Sequence, residues 1–424
     1  MTEPRTPTEL AALQCERLAW ALAHAYEGSP FFRAKFDQVG LRPTDLRAPA
    51  DLVQLPFTTK AELRDAYPFG WAAVPLERIA RIHASSGTTG KRTVAYYTAQ
   101  DLEDWTTLFA RCYALAGVGP GDRVQITPGY GLWTAGISFQ AGAERAGAMA
   151  VPVGPGNVDL QLELMVDLQT TVLTATSSFA LLLGEEVARR NLRDQLALRV
   201  GIFGSERWGE AMRQRINTLL GIDSYDIYGL TELYGPGMGI DCHLHQGIHY
   251  WADYFLVELI DPETGQPVAP GATGEIVLTT LRKEAMPLVR YRTRDLTRLL
   301  PEPCPCGSPF PRFDRLRGRS DDMVKVRGVA LWPSQVDTLL ATLEHVSSEY
   351  QLVIERHGGR DELTLRVESD LDLDTVDGGP LAEHIAQQFR AHLGVTPRVE
   401  LLPVGTLPRS ERKTRRVFDH REEV

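Results

Sequence analysis

From about residue 100 the chain alternates between segments with apolar positions at helical spacing and short apolar runs. "LEDWTTLFARCYALAG" reads as a helix and "RVQITPG" as a strand. The pattern repeats with "ISFQAGAERAG" and "MAVPV", "LQLELMVDL" and "TVLTAT", "FALLLGEEVARR" and "RVGIFGS", "GEAMRQRINTLLG" and "SYDIYG". Helix–strand alternation of this kind predicts a parallel sheet covered by helices. Residues 8–40 also carry a helical pattern. After Tyr250 the character changes. "YFLVELIDPETGQPVAPGATGEIVLTTL" has strands split by an Asp-Pro-Glu-Thr-Gly turn, which predicts antiparallel pairing. "RGRSDD", from Arg317, is a charged junction. Beyond it, strands and two helical stretches, about 333–345 and 380–393, predict a small α+β domain. The expected division is residues 1–319 and 320–424, in a chain too long for one ordinary core.

Composition narrows the classes. The chain has 424 residues, 43% hydrophobic and 24% charged, as expected of a globular protein, with a formal net charge of −10. No long basic block suggests nucleic acid. No apolar run reaches the roughly 18 residues of a membrane span. "MTEPRTPTEL" lacks the apolar core of a signal peptide, so the cytoplasm is the expected location. Five cysteines, Cys15, Cys112, Cys242, Cys304 and Cys306, argue against a disulfide framework there.

The candidate chemistry begins at "HASSGTTGKRTVAYYT", His83 to Thr98. A Walker loop would need Gly at position 85 and Ser or Thr at 92, where this chain has Ser85 and Arg92. The composition still suits a polyphosphate. Gly87 and Gly90 allow close backbone approach. Ser85, Ser86, Thr88 and Thr89 bring hydroxyls, and Lys91 brings charge. The alternative is a surface turn. "YDIYGLTELYGPG" sets Tyr228, Thr231 and Glu232 at a strand end, where open α/β sheets bind ligands. A Tyr face stacks a purine, Thr bonds phosphate and Glu holds Mg²⁺. Asp295 in "YRTRDL" suits ribose hydroxyls, and "LPRSERKTRRV" is a basic C-terminal segment. Core packing, a turn and a solvated face are the respective alternatives.

Taken together, the segments resemble the adenylate-forming enzymes, most closely the phenylacetate–CoA ligase branch. The resemblance runs through "LPFTTKAELRDAYPFG", "HASSGTTGK", "AGVGPGDRVQ", "YGLTELYGPG", "EAMPLVRYRTRDLTRLL", "CPCG", "GRSDDMVKVRGVALWPSQVD" and "GTLPRSERK", in that order. It implies an α/β N-terminal domain of helix-covered sheets and a small mobile α+β C-terminal domain. It also implies two steps with ATP, Mg²⁺ and CoA. A carboxylate attacks the α-phosphate to give an acyl-adenylate and pyrophosphate, and the CoA thiol then displaces AMP. By resemblance, Ser85 to Lys91 form the phosphate loop, joined at the nucleotide by Ser205, Glu206 and Gly229. Tyr228 lies on adenine, Thr231 contacts phosphate and Glu232 takes Mg²⁺. Asp295 holds the ribose with Arg319 nearby, Asp321 is the hinge, and Lys413 is the mobile-domain catalytic lysine.

The acid pocket is expected from Tyr130, Trp133, Thr134, Gly136, Phe139, Tyr234 and Gly235. The aromatic members among these are flat surfaces that can clasp an arene; for any of them the alternative is ordinary core. Departures from the family pattern are Arg92, Arg207, Ala330, Trp332 and Arg412. Ala330, Trp332 and Arg412 leave open an acceptor other than CoA (an amide or ester synthetase) or an arylamine diazotase activating nitrite, while Glu232, Asp295 and Lys413 argue against a degenerate nucleotide-binding regulator. Cys242, Cys304 and Cys306 with one of His243, His245 and His249 suit a tetrahedral structural Zn²⁺. The resemblance favours His249, and a thiol redox pair is the alternative. A small aromatic acid and CoA are the expected partners, with a homodimer allowed.

Overall fold

The computed structural model describes residues 4, 6–85, 92–206, 208–340, 342–407 and 416–421, with the backbone alone at 211, 334 and 348. The chain divides into two compact units. The first comprises residues 1–176, 190–205 and 221–316, and the second 177–189, 206–220 and 317–424.

The helical pattern of residues 8–40 folds as two helices, not one: α1 (Pro7–Gly28) and α2 (Pro30–Gln38). Ser29 is extended and Pro30 lacks an amide hydrogen, so the ladder stops and restarts there. Thr6 and Glu9 form a capping box at the start of α1. Thr59 and Glu62 do the same for α3 (Lys60–Asp65), which makes Lys60 its first helical residue. An antiparallel hairpin, β1 (Arg81–Ala84) and β2 (Val94–Tyr97), flanks the Ser/Thr/Gly segment.

The alternating region follows as α4 (Ala99–Leu115), β3 (Arg123–Ile126), α5 (Ala135–Arg145), β4 (Met149–Val151), α6 (Val158–Asp167), β5 (Val172–Thr176), α7 (Ser177–Arg189), β6 (Val200–Gly204), α8 (Glu210–Leu220) and β7 (Asp223–Leu230). Strands β3 to β7 pair in parallel, as their pattern predicts. Antiparallel pairing starts earlier than Tyr250, at β8 (Gly235–Asp241), and continues through β9 (Ile248–Tyr250). Three glycines in seven residues give β8 too few side chains for a readable alternation. A second antiparallel sheet contains β10 (Phe255–Ile260), β11 (Gly274–Thr280) and β12 (Tyr291–Thr297). Strands β13 (Leu299–Leu300) and β14 (Arg312–Phe313) extend the first sheet beyond β9. A continuous core including Leu22, Phe36, Tyr96, Phe109, Ile126 and Phe255 fills this unit.

In the second unit, β15 (Gly318–Arg319) and the pair β16 (Val324–Val326) and β17 (Val329–Leu331) precede α9 (Pro333–Leu340). Next come β18 (Val346–His357), β19 (Arg360–Ser369), α10 (Gly379–Leu393), β20 (Arg398–Pro403) and β21 (Val417–Asp419). Their sheet runs β20-β19-β18-β21, over a core that includes Leu352, Leu365, Ile385 and Phe389. Among the described residues no helix is long and apolar enough to cross a membrane.

Arg290 ties the N-terminal segment to the second sheet. It is buried, pairs with Glu258 at 2.9 Å and donates to the carbonyls of Val53 and Leu55. Its guanidinium also lies 4.2 Å from the Phe57 ring centroid. Removing one partner of such a pair strands the other in low dielectric. Arg290→Met is therefore expected to cost about 3–5 kcal/mol, read as a lower urea midpoint at unchanged slope.

Candidate functional site

The central feature is the turn between β7 and β8, where the sheet changes from parallel to antiparallel. Two backbones meet there so closely that a Cβ on Gly229 would lie 1.9 Å from the Gly235 carbonyl oxygen. Gly235 itself has φ +67, a conformation glycine adopts without strain. Three successive residues of the turn are each gripped from a different part of the chain. The Tyr97 hydroxyl donates to the Thr231 carbonyl at 3.1 Å. The Lys60 ammonium lies 3.0 Å from a Glu232 carboxylate oxygen. The Lys283 ammonium donates to the Leu233 carbonyl. Glu232 is buried, and Lys283, 1% exposed, sits over the ring faces of Tyr97 and Tyr234 at 4.0 and 4.8 Å. Burial pushes the Lys283 ammonium down to about 7, against the pull of Asp101 and Glu232.

Tyr228 and Asp295 are brought together: the phenol donates to the carboxylate at 2.7 Å, with the ring edge-on to Phe313. Ser205 follows β6 at φ +69. Glu206 accepts from the Ser178 amide at 3.1 Å, so its carboxylate caps the first turn of α7, where an anion is favoured; burial raises its pKa. In the second unit Arg319 and Asp321 form a two-armed pair at 2.9 and 3.0 Å. At the start of the Ser/Thr/Gly segment, Ser85 exchanges hydrogen bonds with the Thr93 backbone, closing the hairpin. Ser86, Gly87, Thr88, Thr89, Gly90 and Lys91 lie outside the described residues, as do Arg207, Arg412 and Lys413.

The expected acid-pocket residues separate into two groups. Phe139 and Tyr234 are packed as core. Phe139 lies edge-on to Phe109, and Tyr234 is fully buried against Tyr97, Tyr254 and Phe255. Tyr130 and Trp133 are partly exposed, with the Arg92 guanidinium 5.9 Å from the Trp133 ring centroid. Gly136 has no room for a Cβ beside Pro128, Gly129 and Tyr130. The α-carbon of Gly235 faces Thr134 and Trp105, since a Cβ there would lie 3.0 Å from both.

Cys242, His249, Cys304 and Cys306 converge, with all four ligand atoms within 4.8 Å of one another. Cys242 and Cys304 sulfurs are 3.8 Å apart, and the Cys306 sulfur is 3.4 Å from His249 Nε2. A tetrahedron with Zn–S of about 2.3 Å and Zn–N of about 2.0–2.1 Å has edges near 3.8 and 3.5 Å, so the donor set fits. His249 Nδ1 donates to the Phe310 carbonyl at 2.9 Å, leaving Nε2 toward the thiols. Burial lowers the His249 pKa, which keeps the ring neutral. Burial also pushes the Cys242 thiol up to about 12. His245 is used elsewhere, bridging Asp241 and Asp223 at 3.0 and 2.9 Å.

The arrangement matches known proteins along its whole length. The model of the AMP-binding enzyme family matches residues 45–281, and that of the AMP-binding enzyme C-terminal domain matches residues 328–421. The phenylacetate–coenzyme A ligase of Escherichia coli (strain K12) is 44% identical over 428 residues, covering 100% of this chain and 97% of that protein. The chain belongs to the AMP-binding enzymes, in the phenylacetate–CoA ligase branch. The phenylacetate–coenzyme A ligase of Thermus thermophilus is 43% identical over 432 residues, covering 98% and 97%. A solved 2-hydroxyisobutyryl-CoA ligase, in its postadenylation state with an adenylate, superposes with TM-score 0.91 at 27% identity, covering 99% and 91%. This chain therefore has the adenylate-forming enzyme fold.

Four residues of this AMP-binding enzyme escaped the sequence reading: Lys60, Lys283, His83 and Trp105. Lys60 looks like any helix-start lysine, and its partner is remote in sequence. Lys283 follows a strand in "LRKEAMP" and carries no sign of burial. His83 is buried with its ring against Trp105 and Tyr97, and Trp105 stacks on Tyr97 at 4.8 Å. Burial holds the His83 pKa below the usual value. His83 alone carries a signal of position, two residues before Ser85.

The turn gives a direct test. Gly229→Ala forces a backbone shift and is expected to destabilise by about 1–3 kcal/mol. Gly209, where a Cβ meets nothing within 4 Å, is the control; Gly209→Ala should fall within about 0.5 kcal/mol of the parent. Urea midpoints measure both.

Proposed function

We propose that this protein is an ATP-dependent aryl-acid–CoA ligase. The observation that carries the reading is 41–44% identity to four phenylacetate–coenzyme A ligases over at least 96% of the chain. In the first step a carboxylate oxygen of the acid bonds to the α-phosphorus of ATP and the bond to pyrophosphate breaks. In the second the CoA sulfur bonds to the acyl carbon, AMP leaves, and the thiol proton is released. Both steps move negative charge without a covalent enzyme nucleophile, so placement and electrostatics suffice.

The proposed roles follow the site. The segment Ser85 to Lys91 is assigned to the phosphates, and Ser205, Glu206 and Gly229 to the nucleotide. The Tyr228 ring lies along the adenine, and its hydroxyl orients Asp295 for the ribose. Thr231 contacts the α-phosphate. Glu232 would hold Mg²⁺: it is a buried carboxylate that already faces a cation, Lys60. Mg²⁺ there neutralises phosphate charge. Tyr130, Trp133, Thr134, Gly136 and Gly235 accommodate a planar aromatic acid, while Phe139 and Tyr234 support that wall from behind. Lys413 supplies the cation for adenylation, Arg319 is assigned to the nucleotide, Asp321 is the hinge, and the domain boundary falls at 319/320. Zn²⁺ held by Cys242, His249, Cys304 and Cys306 is structural: four protein ligands leave no open position. The cytoplasm is the proposed location, and a homodimer the proposed assembly.

The enzyme is expected to exchange pyrophosphate into ATP only with an acid present, preferring arylacetate-, benzoate- or aminobenzoate-type acids. Medium-chain fatty acids outperforming every aromatic acid would overturn the substrate class. Lys413→Ala is expected to lower exchange by about 10²–10³ and to spare thioester formation from supplied acyl-adenylate. Loss in Arg412→Ala but not Lys413→Ala would move the catalytic cation to Arg412.

Metal analysis is expected to find one zinc per chain after a brief chelator wash. Cys242→Ser should lower thermal stability more than it lowers the rate of the remaining folded enzyme, because a structural metal's binding energy is folding energy. A folded, zinc-free, fully active enzyme is the contrary result.

A further inference from the structure

We propose that Lys283 is a positioning residue for adenylation: its ammonium fixes the turn that aims Glu232 at the nucleotide's metal. The proposal rests on the reading of Glu232 as the magnesium ligand. Lys283 is 1% exposed and so touches neither acid nor ATP. It acts through the Leu233 carbonyl, one residue beyond Glu232, to which it donates.

The ammonium is itself held from every side. The rings of Tyr97 and Tyr234 present their faces at 4.0 and 4.8 Å, the geometry in which an aromatic quadrupole attracts a cation. The segment carrying Lys283 is pinned by Asp101, whose carboxylate accepts the amides of Glu284 at 2.7 Å and Ala285 at 2.9 Å. The same carboxylate accepts the Thr98 amide at 3.0 Å, next to Tyr97 in the chain. Tyr97 in turn donates to the Thr231 carbonyl at 3.1 Å. One anchor, Asp101, thus sets both arms that grip the turn, at Thr231 and at Leu233. Glu232 lies between them, with the Lys60 ammonium against its carboxylate.

A purely structural lysine would be a poor choice here, since burying an ammonium costs several kcal/mol before any partner is counted. An apolar side chain of similar length would fill the space at lower cost. The charge has a use if the turn must keep its place while a metal and a polyphosphate pull on the adjacent carboxylate. A displacement of about 1 Å at such a group can cost about 10²-fold in rate.

The test uses the full-length enzyme and separates the half-reactions. Lys283→Met keeps the volume and removes the donor and the charge. The expected result is pyrophosphate exchange lowered about 10²-fold, with the Mg²⁺ concentration for half-maximal exchange raised about 10-fold as the residue that supports the metal's ligand is lost. Thioester formation from supplied acyl-adenylate, which uses no Mg·ATP, should stay within a few-fold of the parent, and Lys283→Arg should recover part of the exchange. Parent-like exchange in Lys283→Met, or equal loss of both half-reactions, overturns the proposal. Should Lys283→Met fail to fold, Tyr97→Phe decides: it keeps the ring, removes the second grip, and should lower exchange in the same direction; unchanged exchange there refutes the idea. Glu232→Gln distinguishes the underlying reading. Normal exchange in Glu232→Gln refutes the metal assignment, whereas a crippled Glu232→Gln beside an unaffected Lys283→Met refutes the positioning role alone.

Discussion

Everything the site presents depends on how closely the backbone of Gly229 approaches that of Gly235. The parallel part of the sheet ends there and the chain turns back on itself as an antiparallel strand. A parallel strand usually leaves its end through a crossover helix, which carries the chain away. A tight reversal instead keeps Thr231, Glu232 and Leu233 at the strand end, in the region where open sheets bind ligands. The reversal needs two glycines for space and conformation. It also leaves turn carbonyls without a ladder partner. Tyr97 and Lys283 supply donors for two of these. Close approach, turn and buried cation are therefore one arrangement, and altering any of them moves Glu232.

Much of this was readable from the chain because the relevant signals are local. Apolar periodicity marked the alternating helices and strands, and it gave the parallel sheet from β3 to β7. Small hydroxyl residues marked the segment after β1. Acid, threonine and tyrosine side chains at one strand end marked the turn. What stayed hidden was set by contacts between distant residues. Lys60 pairs with Glu232 across 172 positions, and Asp101 holds Glu284 across 183. Tyr228 and Asp295 were each assigned to the nucleotide, and their bond to each other is visible only in three dimensions. The same limit explains Phe139 and Tyr234. An aromatic side chain at a strand or helix end has the same appearance in sequence whether it faces a ligand or the core. The break at Ser29–Pro30, by contrast, was written in the sequence, since proline reliably ends one helical ladder and begins another.

The departures from the family pattern also gain a physical meaning where the residues are described. Arg92 stands where proline is common and lies against the Trp133 ring. A guanidinium over an indole covers apolar surface and places a cation beside Trp133. Trp332, where phenylalanine is common, accepts its position by starting α9: its amide is met by the Gln335 side chain at 3.2 Å. Neither change removes a group assigned to the nucleotide.

The cysteine cluster belongs to the same architecture rather than standing apart from it. Cys242 follows β8, His249 lies in β9, and Cys304 and Cys306 sit between β13 and β14, which pairs with β9. The four ligands thus join the strands that extend the sheet beyond its parallel part. That extension cannot be stabilised by crossover helices, as β3 to β7 are, because its connections are short. Burial pushes Cys242 and Cys306 toward their neutral forms, whereas for Cys304 burial is outweighed by hydrogen bonds from Cys306 and Cys242, which lower its pKa. A dication bound by the four residues would favour the thiolates and cross-link these strands. His249 then couples the cross-link to the core through the Phe310 carbonyl, and Phe310 packs edge-on against Trp251, whose indole donates to the Gly237 carbonyl at 2.9 Å. Gly237 lies in β8, two residues beyond Gly235. The Cys/His cluster and the Gly229–Gly235 turn thereby lie at opposite ends of one strand, β8.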